Sequence, residues 1–265
     1  MLNTDIAPPP ARAERTNILG VGVIHADIPS VLARMQAWIA TRRKAYVCVP
    51  DVHLIMQSQW DAELRQILNS ASMTVTDGMP LVWFCRLAGH PKTKRVYGPD
   101  LLLASCEEGL AHGRRHYFYG GAEGVADALV ARLKAKFPEL VVAGTYSPPF
   151  RALSAEEEIA VAAEIDATSP DVVWVGLGAP KQEYWMRRFR SLLEAPLLVG
   201  VGAAFDFHSG AKPQAPKLIR SAGLEWVFRL VTEPKRLWPR YRKVIPAFIA
   251  GVAMQGLGLR TYTLD

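Results

Sequence analysis

The chain has few cysteines. Cys48, Cys85 and Cys106 are odd in number, far apart and set in apolar runs. This argues against a disulfide framework or a C-x-x-C zinc site and fits reduced core side chains of a cytoplasmic protein. No D-x-D pair is present to carry a metal-bound nucleotide, and Asp206-x-His208 is only a distant substitute. His25, His90, His112 and His116 show no ligand spacing and read as surface or turn histidines. No apolar run reaches bilayer length, no internal repeat occurs, and the first residues do not read as a signal peptide. A complete G-x-G-x-x-G is also missing. Gly20-x-Gly22 lies inside an apolar run, which argues against a nicotinamide-dependent oxidoreductase.

Half of the 265 residues are hydrophobic, enough for one sizeable α/β core with an appendage. Residues 1–16, with Ala7-Pro-Pro-Pro-Ala11, are expected to be disordered, residues 17–211 to form the α/β domain, and residues 212–265 the appendage. Charge is unevenly placed. Residues 212–243 hold nine Lys/Arg against Glu225 and Glu233, while the rest of the chain is close to neutral. A neutral body with a basic end suggests an anionic partner there, whether phosphates, nucleic acid or an acidic membrane surface.

Strand and helix signals alternate. Asn17 to Ile24 reads as a first strand, and Asp27 caps a helix from Pro29 to Arg43. Strands follow at 46–49, 73–76, 116–119, 140–144, 172–175 and 197–201, with helical patterns between them and a capping box at Ser154 and Glu157. One amphipathic stretch runs from Leu54 to Ser70. This order predicts a Rossmann-like parallel sheet with helices on both faces.

The strand ends carry the chemistry. Asp51 with His53, Asp77-Gly78, Gly120-Gly121, Gly176 to Gln182, and Asp206 with His208 each follow an apolar run. In a parallel sheet they converge on one crevice at the carboxyl edge, where ligands bind. Gly176 and Gly178 allow a sharp turn, and Lys181, Gln182 and Glu183 fall on the first turn of the next helix. An ordinary turn before a solvated helix is the plain alternative. Asp77 ends an apolar strand and precedes a glycine, a setting that suits a general base; its structural alternative is to cap the following helix.

These clusters resemble the WecG/TagA/CpsF glycosyltransferases, glycosyltransferase family 26. The matching pieces are Thr76-Asp77-Gly78, Arg95-Val-x-Gly98-x-Asp100, Phe118-Tyr-Gly-Gly121-x-x-Gly-Val-Ala126, Gly176-x-Gly-x-Pro-Lys-Gln-Glu183 and Gly200-Val-Gly-Ala-Ala-Phe-Asp-Phe207. Ala215-Pro-Lys217, Gly223-Leu-Glu-Trp226 and Arg229-Leu-x-x-Glu-Pro-x-Arg236 complete them. The resemblance implies an inverting transferase that needs no metal or other cofactor. Its donor would be a UDP-sugar and its acceptor a polyprenyl-diphosphate-linked sugar, at the cytoplasmic face of the cell membrane. It also implies Asp77 as general base, Gln182 and Arg95 near the sugar and acceptor, Gly120, Gly121 and Asp206 on the nucleotide side, and Arg229 and Arg236 in the appendage.

One departure bears on the donor. The N-acetylmannosamine enzymes of the family have Thr-Pro-Asn where this chain has Val49-Pro50-Asp51, followed by His53. The change favours a xanthan-type glucosyltransferase using UDP-glucose over an N-acetylmannosamine or N-acetylmannosaminuronate donor. A nucleic-acid-binding module using the basic tail is the reading from another class, and it predicts a steep salt dependence. The expected partners are the donor, the lipid-linked acceptor and an anionic membrane surface, with no nucleic acid, and an oligomer is possible. Leu237, Tyr241, Ile245, Phe248, Ile249 and Val252 recur at helical spacing, so the appendage is expected to be an amphipathic, membrane-associating helix, separable by truncation before Leu224.

Overall fold

The computed structural model describes residues 6–11 and 14–264. Six parallel strands form its centre: β3 (Ala45–Cys48), β4 (Met73–Thr74), β5 (Arg115–Gly120), β6 (Val141–Tyr146), β7 (Val172–Gly176) and β8 (Leu197–Gly200). Their spatial order is β4-β3-β8-β7-β5-β6. Alternation along each strand feeds two cores, as the period of two requires. Tyr46, Tyr119, Val173 and Leu198 face one side, and Val47, Phe118, Trp174 and Val199 the other.

The first side is covered by α2 (Val52–Gln57), α3 (Ala62–Ser70), α4 (Met79–Leu87), α7 (Ala155–Ala167) and α8 (Lys181–Phe189). The second is covered by α1 (Ile28–Ala40), α5 (Gly98–Gly109), α6 (Val125–Lys136) and α9 (Ala204–Ser209). After β5 the chain crosses by α6 to the outer strand β6, whereas after β7 it crosses by α8 toward β8. The crossovers diverge between β5 and β7, and such a switch point opens a crevice at the carboxyl ends. Gly120 and Gly176 are register partners at that point.

Three local expectations are corrected. The expected first strand is an antiparallel hairpin, β1 (Arg15–Ile18) and β2 (Val21–Ile24), turning at Leu19 and Gly20 with φ of 52° and 85°. The Asn17 side chain accepts from the Gly20 amide at 2.7 Å and steadies this left-handed turn. The stretch 54–70 is two helices, because Asp61 accepts from the Leu64 amide at 3.0 Å and starts α3 afresh. His116 is buried rather than a surface group: its Nδ1 accepts from the Trp174 indole at 3.0 Å, and burial lowers its pKa to about 4.

Of the amino-terminal segment expected to be disordered, Ile6 bridges to Lys44, Ala7 is buried and its amide donates to the Lys44 carbonyl at 2.7 Å. Residues 1–5, 12 and 13 lie outside the described residues. The carboxyl-terminal segment forms α10 (Lys217–Ser221), α11 (Glu225–Thr232) and α12 (Pro234–Gly256). Val244 and Phe248 of α12 join the first core, and Gly251 admits the Leu19 side chain, so α12 is packed on the body along its second half. Among the described residues no helix is long and apolar enough to cross a membrane.

Candidate active site

A cleft of about 720 Å³ runs over the carboxyl ends of the strands and under the appendage. Its middle is made of backbone. A Cβ at Gly120 would stand 2.6 Å from the Gly176 carbonyl carbon, and one at Gly176 would stand 2.5 Å from the Phe205 ring. Glycine is therefore required at both strand ends, and Gly121, Gly176 and Gly178 line the cleft while Gly120 lies behind them. The Gly121 amide is taken by the Gly176 carbonyl at 3.0 Å, which ties the two turns together.

Asp77 follows β4 and opens onto one end of the cleft. Its Oδ1 accepts from the Gly98 amide at the start of α5 at 3.2 Å and lies 3.8 Å from Arg95 Nη2. It does not cap α4, whose N-cap is Gly78 without a side-chain bond. The carboxylate is 23% exposed, and the open part lines the cleft, so most of its surroundings are protein. Burial pushes its pKa up to about 7 against the Arg95 guanidinium, with the Glu225 and Asp51 carboxylates adding to the rise. Such a group can hold or release a proton near neutrality, as a general base must.

Arg95, expected near the sugar and acceptor, is turned away from the cleft. Its Nε donates to the Asp77 carbonyl, and its Nη2 pairs with Glu225 at 2.7 Å, so it supports the cleft without lining it. Asp51 lines the cleft and caps α2, accepting from the Leu54 amide at 2.9 Å. His53 lies beside it with a buried Nδ1 that has no partner; burial lowers its pKa, the nearby Asp51 opposing and Arg240 assisting.

The motif Lys181-Gln182-Glu183 splits. Lys181 is on the rim, whereas Gln182 is 3% exposed and Glu183 is fully buried, so this is no solvated helix start. Asp206 and His208 do not form a metal pair. Asp206 pairs with Lys212 at 2.7 Å, and His208 Nε2 bonds the Pro99 carbonyl at 2.9 Å. Among the described residues no three His, Cys, Asp or Glu side chains gather as a metal set.

The appendage supplies cations. Arg229, Arg236 and Arg240 all line the cleft. Arg236 pairs with Glu233 at 2.7 Å, but among the described residues neither Arg229 nor Arg240 has a carboxylate within salt-bridge distance. Burial lowers the Arg240 pKa, opposed by Asp51 and assisted by Arg236 and Arg229. An uncompensated cluster of this kind is suited to a di-anion such as a diphosphate. The four-residue spacing of Arg236 and Arg240 places both on one basic helix face, as the sequence suggests, whereas Lys212 and Glu225 are not among the candidate site residues read from it.

Comparisons with known proteins give the family. A model described as Glycosyl transferase WecG/TagA/CpsF family matches residues 16–262. Similar proteins include an N-acetylglucosaminyldiphosphoundecaprenol N-acetyl-beta-D-mannosaminyltransferase of Bacillus spizizenii, 29% identical over 86% of this chain and 87% of the relative. Proteins of the same name occur in Bacillus subtilis, 28% identical over 76% of each chain, and in Staphylococcus aureus, 23% identical over 90% of this chain and 92% of the relative.

Proposed function

Because the chain belongs to the WecG/TagA/CpsF family of glycosyl transferases, we propose that it moves a hexose from a UDP-sugar to a polyprenyl-diphosphate-linked sugar, with inversion, in the assembly of an exported or cell-envelope polysaccharide. The observation that carries this reading is Asp77, a carboxylate with a pKa near 7 that shares one cleft with glycine turns and unpaired arginines. Asp77 takes the proton of the acceptor hydroxyl as that oxygen attacks the anomeric carbon from the face opposite UDP. The new glycosidic bond forms as the bond to the diphosphate breaks, and its electron pair goes to the leaving oxygen. Arg229, Arg240 and backbone N–H groups at the glycine turns meet the developing charge, which lowers the barrier more than it stabilises the bound donor. No cofactor is assigned a role in this reading.

The acceptor reading draws on the relatives' printed names, which specify N-acetylglucosamine on diphosphoundecaprenol. For the donor the same names favour N-acetylmannosamine, whereas Asp51 favours UDP-glucose, because a carboxylate can accept from sugar hydroxyls but offers no N–H to an acetamido carbonyl. The basic appendage also exposes Trp226, Val231 and Trp238, at 43%, 75% and 58%. Aromatic and basic side chains together suit the interface of an anionic bilayer, where a lipid-linked acceptor resides.

The test is a parallel transfer assay with UDP-glucose and UDP-N-acetylmannosamine, a short-chain polyprenyl-diphosphate N-acetylglucosamine as acceptor, and NMR of the product. A β-linked disaccharide from an α-linked donor supports the reading, and the donor consumed decides between the two sugars. Donor hydrolysis without transfer, or a retained α linkage, overturns it.

A further inference from the structure

Glu183 has no place in the reaction as described, yet it is fully buried beside the cleft. It touches Gln182, whose side chain lines the cleft and is held at both ends. Gln182 Oε1 accepts from the Gly202 amide at 2.9 Å, and its Nε2 donates to Glu183 Oε1 at 2.9 Å. A Cβ at Gly200 would stand 3.0 Å from that Nε2 and 2.8 Å from Met186 Cε, so the amide has little room to swing. One N–H and one oxygen lone pair of Gln182 are left over for a ligand.

We propose that Glu183 is a positioning residue, which fixes the Gln182 amide against the Gly202 turn so that its free N–H and carbonyl oxygen are presented to the hydroxyls of the donor sugar. The proposal rests on the UDP-sugar reading for the identity of that ligand. Glu183 acts as an uncharged acid. Its Oε2 has no hydrogen-bond partner and no cation pairs with it among the described residues, and a fully buried lone carboxylate is strongly disfavoured. Burial pushes its pKa up to about 7, against the hydrogen bond from Gln182.

The groups around it agree with the uncharged form. β7 and β8 bring no titratable side chain, and β3 brings the buried Cys48 thiol, whose pKa burial raises, with Glu183 adding to the rise. Asp51 at the start of α2 adds a negative charge that opposes ionisation of Glu183. On α3, Asp61 is bonded by the Tyr184 hydroxyl and Arg65 lies against Gly20. An uncharged Glu183 thus orients Gln182 without adding a further negative charge where a diphosphate must bind.

Two measurements on the full chain test this. In the first, the side-chain NH2 signal of Gln182, assigned by its absence in Gln182→Met, is followed by NMR against pH in wild type and Glu183→Gln without substrate. A change with a midpoint near 7 in wild type that is lost in Glu183→Gln supports the proposal; no change in wild type, or the same midpoint in both, overturns it. In the second, transfer kinetics are compared for folded Glu183→Leu and Glu183→Gln. The leucine variant, which offers no acceptor, is expected to lose at least tenfold in kcat/KM. The glutamine variant, which keeps the acceptor without an ionisable acid, is expected to recover most of it and to lack any fall in rate that ionisation of Glu183 above about pH 7 produces in wild type. Equal kcat/KM in wild type and Glu183→Leu overturns the proposal. Absence of transfer by wild type with every UDP-sugar overturns the proposed function instead, while the NMR arm still decides whether Glu183 orients Gln182.

Discussion

Arg95 and Glu225 form an ion pair at 2.7 Å between the loop that joins α4 to α5 and the first residue of α11. Their side chains are 16% and 9% exposed, and Tyr97 donates its hydroxyl to the other Glu225 oxygen at 2.9 Å. The appendage is therefore bolted to the body at the Asp77 end of the cleft. Glu225→Gln leaves Arg95 largely buried without a full counter-charge and is expected to destabilise the fold by roughly 2–4 kcal/mol, measured by denaturant titration. Because Glu225 raises the Asp77 pKa, the acidic limb of the pH–rate profile should move down in this variant. An unmoved limb would show that Asp77 does not set it.

Asp77 itself gives the sharpest kinetic expectation. It acts as a base only when ionised, so the rate should fall as pH drops below about 7. Asp77→Asn should lower kcat by about two to four orders of magnitude, the scale of general-base loss. UDP affinity, read by thermal shift, should stay within about threefold, because in the proposed reaction the carboxylate meets the acceptor hydroxyl and not the nucleotide.

How far the site was legible in the sequence depended on how local its causes were. The strand-end clusters could be read because an apolar run followed by glycine or aspartate is a local signal, and the parallel sheet then forces those ends together. The hairpin at Leu19 was hidden, since a leucine with φ of 52° looks like any other member of an apolar run. His116 was misplaced because its partner, the Trp174 indole, is 58 residues away. Arg95 was matched to the substrate, but it is held by Glu225 at a separation of 130 residues. Truncation before Leu224 is likewise no clean test of the appendage, since it removes Glu225, Val244 and Phe248 from buried positions.

The glycine turns differ in what they tolerate. Gly176→Ala would force a Cβ to 2.5 Å from the Phe205 ring, and repacking should cost about 1–3 kcal/mol. Gly178, with φ of +74°, has nothing within 4 Å of an added Cβ, so Gly178→Ala should cost only the left-handed strain of about 1 kcal/mol. Thermal melts of the two variants should rank in that order, and UDP-induced stabilisation should be the more reduced in Gly176→Ala.

Membrane attachment is expected to follow exposed apolar and basic groups of the appendage together. Trp238→Ser and Val231→Ser remove side chains that are 58% and 75% exposed, so folding should change little. Flotation with anionic vesicles should fall severalfold for the pair, and wild-type binding should weaken with salt, as surface attraction does. Retention of full binding by the double variant would place attachment elsewhere.

The final expectation concerns stability against pH, where two buried acids act in the same direction. Glu183 and Asp77 both have folded-state pKa values raised to about 7, from 4.5 and 3.8. A raised pKa means that the folded state holds the proton more tightly, so its stabilisation is complete below about pH 4 and is lost as pH rises to about 7. These two acids should therefore cost stability between about pH 4.5 and 7, the opposite of an ion-paired carboxylate, while buried His116, with its pKa lowered to about 4, gains stability over the same range. At about 1.4 kcal/mol per unit, Glu183 alone contributes roughly 2–4 kcal/mol to that loss. Asp77 contributes less, because part of its surface faces the cleft and solvent screens it. Glu183→Gln should remove the larger share of the acids' contribution, and adding Asp77→Asn should leave a profile that rises with pH across this window, because buried His116 remains. Denaturant titrations at pH 5 and pH 8 measure the difference directly. A slope in Glu183→Gln as steep as in wild type would mean that Glu183 is ionised in the folded protein at both values.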